Sequence, residues 1–271
     1  MTAHATLAVI GGSGLYTLLD GASDVRQVDV DTPFGPPSEP LAVASVGGRS
    51  VAFLPRHGRD HRFPPHRLPY RANLWALRAL GVEQVLAASA VGSLRPDLGP
   101  GMLVVPDQLV DRTRGREHTF YDAGAVHVGF ADPYCPTGRA TVLAAAVDCF
   151  PEQPVDGGTM VVVDGPRFST RAESRWHADQ GWSVVGMTGM PEAVLARELG
   201  LCYTALSLVT DLDAGTEPTE AVSHQAVFAT FAASTPRVRT ALLATLEALP
   251  DQRSCPCPHA LDGLTLPLTL P

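Results

Sequence analysis

A layered α/β fold, with a central sheet covered by helices, is what this sequence predicts, and three observations carry it. Short apolar runs alternate with helical periodicities along most of the chain, the order in which helices come to lie over a sheet. Most of those runs end at Gly, Pro or Ser, so strands stop in tight turns. Hydrophobic residues form 45% of the 271 residues, enough for one large core. Charged residues at 18%, with 24 Pro and 25 Gly, describe a loop-rich globular chain and exclude a coiled coil or a mainly disordered one.

Thr6 to Ile10 is an apolar run delivered into Gly11-Gly12, hence a buried strand, and Val51 to Leu54 is another, stopped by Pro55. Pro69 to Leu80 carries Leu74, Leu77 and Leu80 at helical spacing, with a proline at its start and Gly81 after its end, which defines a helix. Val85–Val91 and Leu103–Val105 read as core strands, Gly138–Phe150 as an Ala-rich helix, and β-branched Thr159–Val163 as a central strand. Helix Arg171–Gln180, strand Val184–Met187, helix Pro191–Leu199 and strand Leu201–Val209 follow. A last helix from about Thr219 to Leu249 closes the fold, with Pro236 a candidate break. One domain is expected over residues 1–250, followed by a Pro-rich tail, 251–271, packed on the domain or on a neighbouring subunit.

Lys plus Arg number 20 against 28 Asp plus Glu, a formal charge of -8. That balance opposes a phosphate-backbone contact surface, so nucleic acid is not an expected partner. The absence of a long apolar stretch and of a basic leader gives the expectation of a cytoplasmic protein with no membrane partner. Five cysteines form an odd, scattered set, unsuited to a disulfide framework. Cys255-Pro256-Cys257-Pro258-His259 offers too few ligands for a common zinc motif, so two free tail thiols and no metal are expected.

Chemistry is sought at the strand ends, where ligands gather in open α/β sheets. Gly11-Gly12-Ser13-Gly14 offers N–H groups and a hydroxyl to an oxyanion, or is simply a glycine turn. Thr17 stands where a dinucleotide fingerprint needs Gly, and Leu15 where an esterase elbow needs it. Arg56-His57 is a natural pair for phosphate or carboxylate, or else a surface charge pair. Ser89-Ala90-Val91-Gly92 presents small side chains to a close-lying ligand. Phe168 sits where a ring can stack on a planar base or fill a core. Asp211 and Asp213, two apart at the end of an apolar strand, point the same way if the chain stays extended, so they share one ligand and one pKa rises; a solvated turn or a cation site is the alternative.

In this order these segments resemble the methylthioadenosine branch of the trimeric purine nucleoside phosphorylase family. The resemblance runs from about Val9 to Val227 through GGSGLY, DTPFGPPS, PRHG, PYRANLWALRALG, PDQLVDRT, GPRFSTRAES, MTGMPEAVLARELGLCY and TDLDAG. It implies a single-domain phosphorylase/hydrolase-like fold with a central mixed β-sheet flanked by helices. The implied activity is attack of inorganic phosphate, a co-substrate, on the anomeric carbon of a purine nucleoside without metal or organic cofactor.

By position, Ser13, Arg56, His57, Ser89, Ala90 and Thr188 match the phosphate site. Met187 matches a ribose contact and Phe168 a purine contact; Asp211, Leu212 and Asp213 match the base-reading segment, with His57 and the two Asp residues catalytic. His127 matches a residue lent across the interface of a homotrimer. Ser169 and His224 match specificity positions. His224 stands where methylthio-specific members carry Val, and an imidazole there can bond a 5'-hydroxyl. Adenosine, another 5'-substituted adenosine or a 6-oxopurine nucleoside therefore stand as alternatives to methylthioadenosine, as does nucleoside binding without turnover.

Overall fold

The computed structural model describes residues 4–16, 18–19, 21–214 and 222–271, the side chain of Ser13 excepted. The chain runs β1 (Leu7–Gly11), β2 (Ser23–Val28), β3 (Leu41–Val46), β4 (Arg49–Pro55), α1 (Tyr70–Ala79), β5 (Gln84–Ser93), β6 (Leu103–Val105), β7 (Gln108–Asp111), α2 (Pro136–Ala146), β8 (Val155–Asp156), β9 (Thr159–Val162), α3 (Arg171–Asp179), β10 (Val184–Gly186), α4 (Gly189–Glu198), β11 (Cys202–Leu212) and α5 (His224–Ala248). The strands join one mixed sheet flanked by helices, ordered β2-β3-β4-β1-β5-β10-β9-β7, with β11, β6 and β8 branching from β5.

The alternation of β1 explains the layers. Ala8 and Ile10 belong to a core shared with α1 and α4, while Leu7 and Val9 belong to a second core shared with α2 and α5. All five β1 residues are buried, as a strand covered on both faces must be.

What positions a site is a split in this sheet. One edge of β5 carries β11 along its whole length. The other edge pairs with β1 only from Gln84 to Ala87, and with β10 at Gly92 and Ser93. Ala88 to Val91 therefore lie between two diverging strands, with backbone groups open on one edge.

Four strands escape the sequence-based expectation. β2 is polar and almost wholly exposed, and β7 and β8 are short, so none shows a period-two pattern. β3 had a signal: Gly47 and Gly48, both at positive φ, connect Val46 to Arg49 as a two-residue hairpin, the turn that Gly-Gly favours. The expected break at Pro236 is absent. α5 continues through it because both Pro236 and Ala232, whose carbonyl loses its N–H partner, are exposed to water. Residues 219–221 of the expected helix lie outside the described residues. Among the described residues no helix is long and apolar enough to cross a membrane.

The tail turns back onto the domain, with Leu268 and Leu270 packed on the α1–α4 core. Cys255 and Cys257 are not exposed thiols; both are buried against Cys135 and Cys202, which the sequence separates from them by more than fifty positions.

Candidate active site

A cavity of about 730 Å³ opens at the split of the sheet. Its floor is the open stretch of β5, Ala88 to Gly92, and its walls come from the ends of β4, β10 and β11 and the first turns of α5. That volume suits a small-molecule site.

Arg56 follows β4 and is held by its own backbone: its N–H donates to the Gly11 carbonyl, and the Ser38 hydroxyl donates to its carbonyl at 2.7 Å. Its guanidinium is not the free cation that the sequence suggests. Nε and Nη2 donate to the two oxygens of Glu192, at 2.5 and 3.0 Å, and Nη1 donates to the Ala88 carbonyl. Both partners are 2% exposed. Burial opposes the Arg56 charge, and the adjacent Glu192 carboxylate more than restores it, raising its pKa. Tyr203 donates a further hydrogen bond to Glu192 at 2.9 Å. Three of the five guanidinium N–H groups are thereby occupied, leaving two for a ligand.

His57 lies beside it, 7% exposed. Its Nδ1 is 2.9 Å from the Phe63 carbonyl, which accepts only if Nδ1 carries hydrogen. Burial, with Arg56 and His61 nearby, pushes the imidazole down to about 3. The ring is therefore neutral at pH 7, with Nε2 an acceptor. His61 stacks on it, centroids 4.0 Å apart.

Thr188, Ser89 and Ala90 line the same cavity, as do Met187, Phe168 and Ser169. Ser13's side chain lies outside the described residues, but Gly12 and Gly14 on either side line the cavity. Sequence reasoning did not see Arg116, from an irregular stretch after β7. Its side chain donates to the carbonyls of Met187, Met190 and Asp164 and to the Tyr70 hydroxyl, tying the stretch after β9 to the end of β10 and the start of α4. Nothing in the local pattern around Arg116 marks it for this role.

Asp211 and Asp213 both reach the cavity, although β11 does not stay regular there. A bulge between Val209 and Asp211 makes Thr210 the extra residue opposite β5, so Thr210 also lines the cavity and donates to Asp211 Oδ2 at 2.8 Å. Burial raises the Asp211 carboxyl to about 6; the Thr210 hydroxyl opposes the rise and Asp213 adds to it. Asp213 is 3% exposed, and its Oδ2 has no hydrogen-bond partner among the described residues. Leu212, between them, does not line the cavity, nor does His127, which is exposed. His224 does, at the start of α5, with Val227, Phe228 and Phe231 forming an apolar wall beyond it.

The split of the sheet thus gathers Arg56, His57 and Thr188 around the open stretch of β5 and sets the paired carboxylates Asp211 and Asp213 against the same cavity. The chain belongs to the phosphorylase superfamily, which matches residues 6–249. A Streptomyces coelicolor protein named purine nucleoside phosphorylase is 60% identical over 278 residues, covering 98% of both chains. A Mycolicibacterium smegmatis protein named S-methyl-5'-thioadenosine phosphorylase is 58% identical, over 98% of this chain and 99% of the relative. The structure of a methylthioadenosine phosphorylase from an antarctic soil metagenomic library superposes with a TM-score of 0.91 at 39% identity, covering 97% of this chain and 92% of that one.

Proposed function

We propose that this pentosyltransferase cleaves S-methyl-5'-thioadenosine with inorganic phosphate, giving adenine and 5-methylthioribose 1-phosphate. The observation that carries it is the pair Asp211 and Asp213, one carboxyl raised to about 6 and the other with an unpartnered buried oxygen, facing the cavity that the α5 apolar wall also lines. A carboxylate accepts from a 6-amino group, and a protonated carboxyl donates to N7, so the pair suits adenine.

A phosphate oxygen forms the new bond to the anomeric carbon as the bond to N9 breaks. The electron pair of that bond goes to the purine, and Asp211 supplies a proton to N7 as negative charge builds there. Phosphate is held by the N–H group of Ala90, the hydroxyls of Ser89 and Thr188 and the two remaining Arg56 donors. With His57 neutral, its Nε2 accepts from the P–OH of a monoprotonated phosphate. Proximity of this anion stabilises the cationic sugar, and no metal or organic cofactor takes part in the chemistry. We also assign a homotrimer in which His127 enters a neighbour's site, supported by its exposure and its absence from the lining of its own cavity.

His224 favours a second substrate, adenosine, because its imidazole lines the cavity beside Phe228, ring centroids 4.3 Å apart. Free-base release from methylthioadenosine, adenosine and inosine, with and without phosphate, separates the readings by kcat/KM. Phosphate-dependent adenine release fastest from methylthioadenosine is expected; adenosine in the lead promotes the second substrate, and no phosphate dependence with any nucleoside overturns phosphorolysis.

A further inference from the structure

Four of the five cysteines meet at the end of β11 remote from the cavity. Cys135 caps the start of α2, Cys202 opens β11, and Cys255 and Cys257 come from the tail. All are between 1% and 6% exposed and none is in a disulfide. Their four sulfurs all lie within 4.8 Å of one another, Cys202 and Cys255 at 3.3 Å. The fifth, Cys149, stands apart, its thiol directed at the Ala145 carbonyl.

Four sulfurs gathered about one point are a different object from two bonded pairs. A tetrahedral zinc ion with Zn–S bonds of about 2.3 Å sets its sulfurs about 3.8 Å apart, whereas a disulfide requires a pair at about 2.05 Å. The surroundings suit a thiolate. The Gly138 N–H donates to Cys135 Sγ at 3.4 Å, at the N-terminus of α2, where negative charge is favoured. Pro256 and Pro258 restrict the Cys-Pro-Cys-Pro turn, so its two thiols have little backbone freedom to lose on binding.

We propose that Cys135, Cys202, Cys255 and Cys257 form a structural zinc site, in which one Zn²⁺ binds four thiolates as four thiol protons pass to solvent. With four protein ligands the site is closed and offers no position to a substrate. Its work is to pin the tail to the junction of β11 and α2, reinforcing the Arg253 hydrogen bond to the Gly200 carbonyl and the Arg253–Glu83 ion pair. Beyond the pin, the tail carries Leu268 and Leu270 onto the core. The proposal is independent of the phosphorylase chemistry.

The full-length protein, expressed without an affinity tag in zinc-supplemented medium and desalted in EDTA, is analysed by elemental mass spectrometry and thiol titration under denaturation. About one zinc per chain is expected, released in step with modification of four thiols by a mercurial. Cobalt exchanged into the protein is expected to give the intense visible bands of a tetrahedral tetrathiolate. Cys202→Ser and Cys257→Ser should each lower the zinc content at least tenfold and lower Tm, while Cys149→Ser retains it. Wild-type protein with no zinc and five free thiols overturns the proposal. So does a mass four hydrogens short with no zinc, which assigns two disulfides instead. The wild-type stoichiometry and the cobalt spectrum decide the matter even if the variants fail to fold.

Discussion

At the scale of single residues, burial decides the charge states that the chemistry uses. Burial raises the Asp211 carboxyl in the folded protein to about 6, above its ordinary value of 3.8. Folding therefore favours its protonated form, and the stability it contributes is complete at low pH and lost as pH rises through about 6. Asp211→Asn, having no proton to lose, should stabilise the phosphate-free protein by on the order of 2–3 kcal/mol at pH 7 and by roughly half that at pH 5, while turnover falls; urea unfolding at the two pH values measures it. Glu192 is the counterpart for Arg56. Glu192→Gln leaves a buried guanidinium unpaired, at a cost of about 3–5 kcal/mol. Because phosphate then becomes the available anion, part of that loss should return with saturating phosphate and not with chloride of equal ionic strength, read by thermal unfolding. His224→Val replaces a polar ring with an apolar wall and should raise the methylthioadenosine-to-adenosine ratio of kcat/KM about tenfold; an unchanged ratio removes His224 from the 5' end of the pocket.

At the scale of elements, the last turn of β5 against β11 aims the two carboxylates. Gly92 sits opposite the bulge, and a Cβ there would lie 3.1 Å from Asp211 Oδ1, 3.2 Å from Val185 Cγ1 and 3.3 Å from Asp213 Cβ. The backbone of Gly92 needs no positive φ, so Gly92→Ala should fold, with Tm within a few degrees of wild type. A displaced carboxylate pair costs catalysis far more than stability, and kcat/KM is expected to drop about 100-fold. Equal losses in stability and activity would instead mark the bulge as structural.

At the scale of the whole molecule, the cavity of one chain is lined by His57, Asp211 and Asp213 but not by His127. Co-expression of His127→Ala with Asp213→Asn chains tests whether neighbours complete each other's sites. Each variant alone should be nearly inactive, and mixed oligomers should recover about a quarter of wild-type activity, the fraction of sites with both intact residues in random head-to-tail rings. No recovery, with mixing verified by mass, confines the site to one chain.

Much of this was legible in the one-dimensional pattern because strand and helix periods are local. The run Leu7–Gly11, the helix Tyr70–Ala79, Arg56 directly after β4 and Asp211 near the end of β11 were all readable as elements or as loops with chemistry, whereas Ser89 lies inside β5 and not at its end. By itself the sequence determined the layered α/β class and the placing of Asp211 and Asp213 together at the end of an apolar strand, since these follow from composition and spacing. Only the tertiary structure decided that Arg56 is neutralised by Glu192, 136 residues away, that Arg116 ties Asp164 to Met187, and that a bulge brings Thr210 to Asp211. It alone brought Cys135 and Cys202 to Cys255 and Cys257. The reason is the same in each case: these pairings, and the burial that sets their pKa values, arise between segments distant in the chain, and no local period encodes which of them will meet.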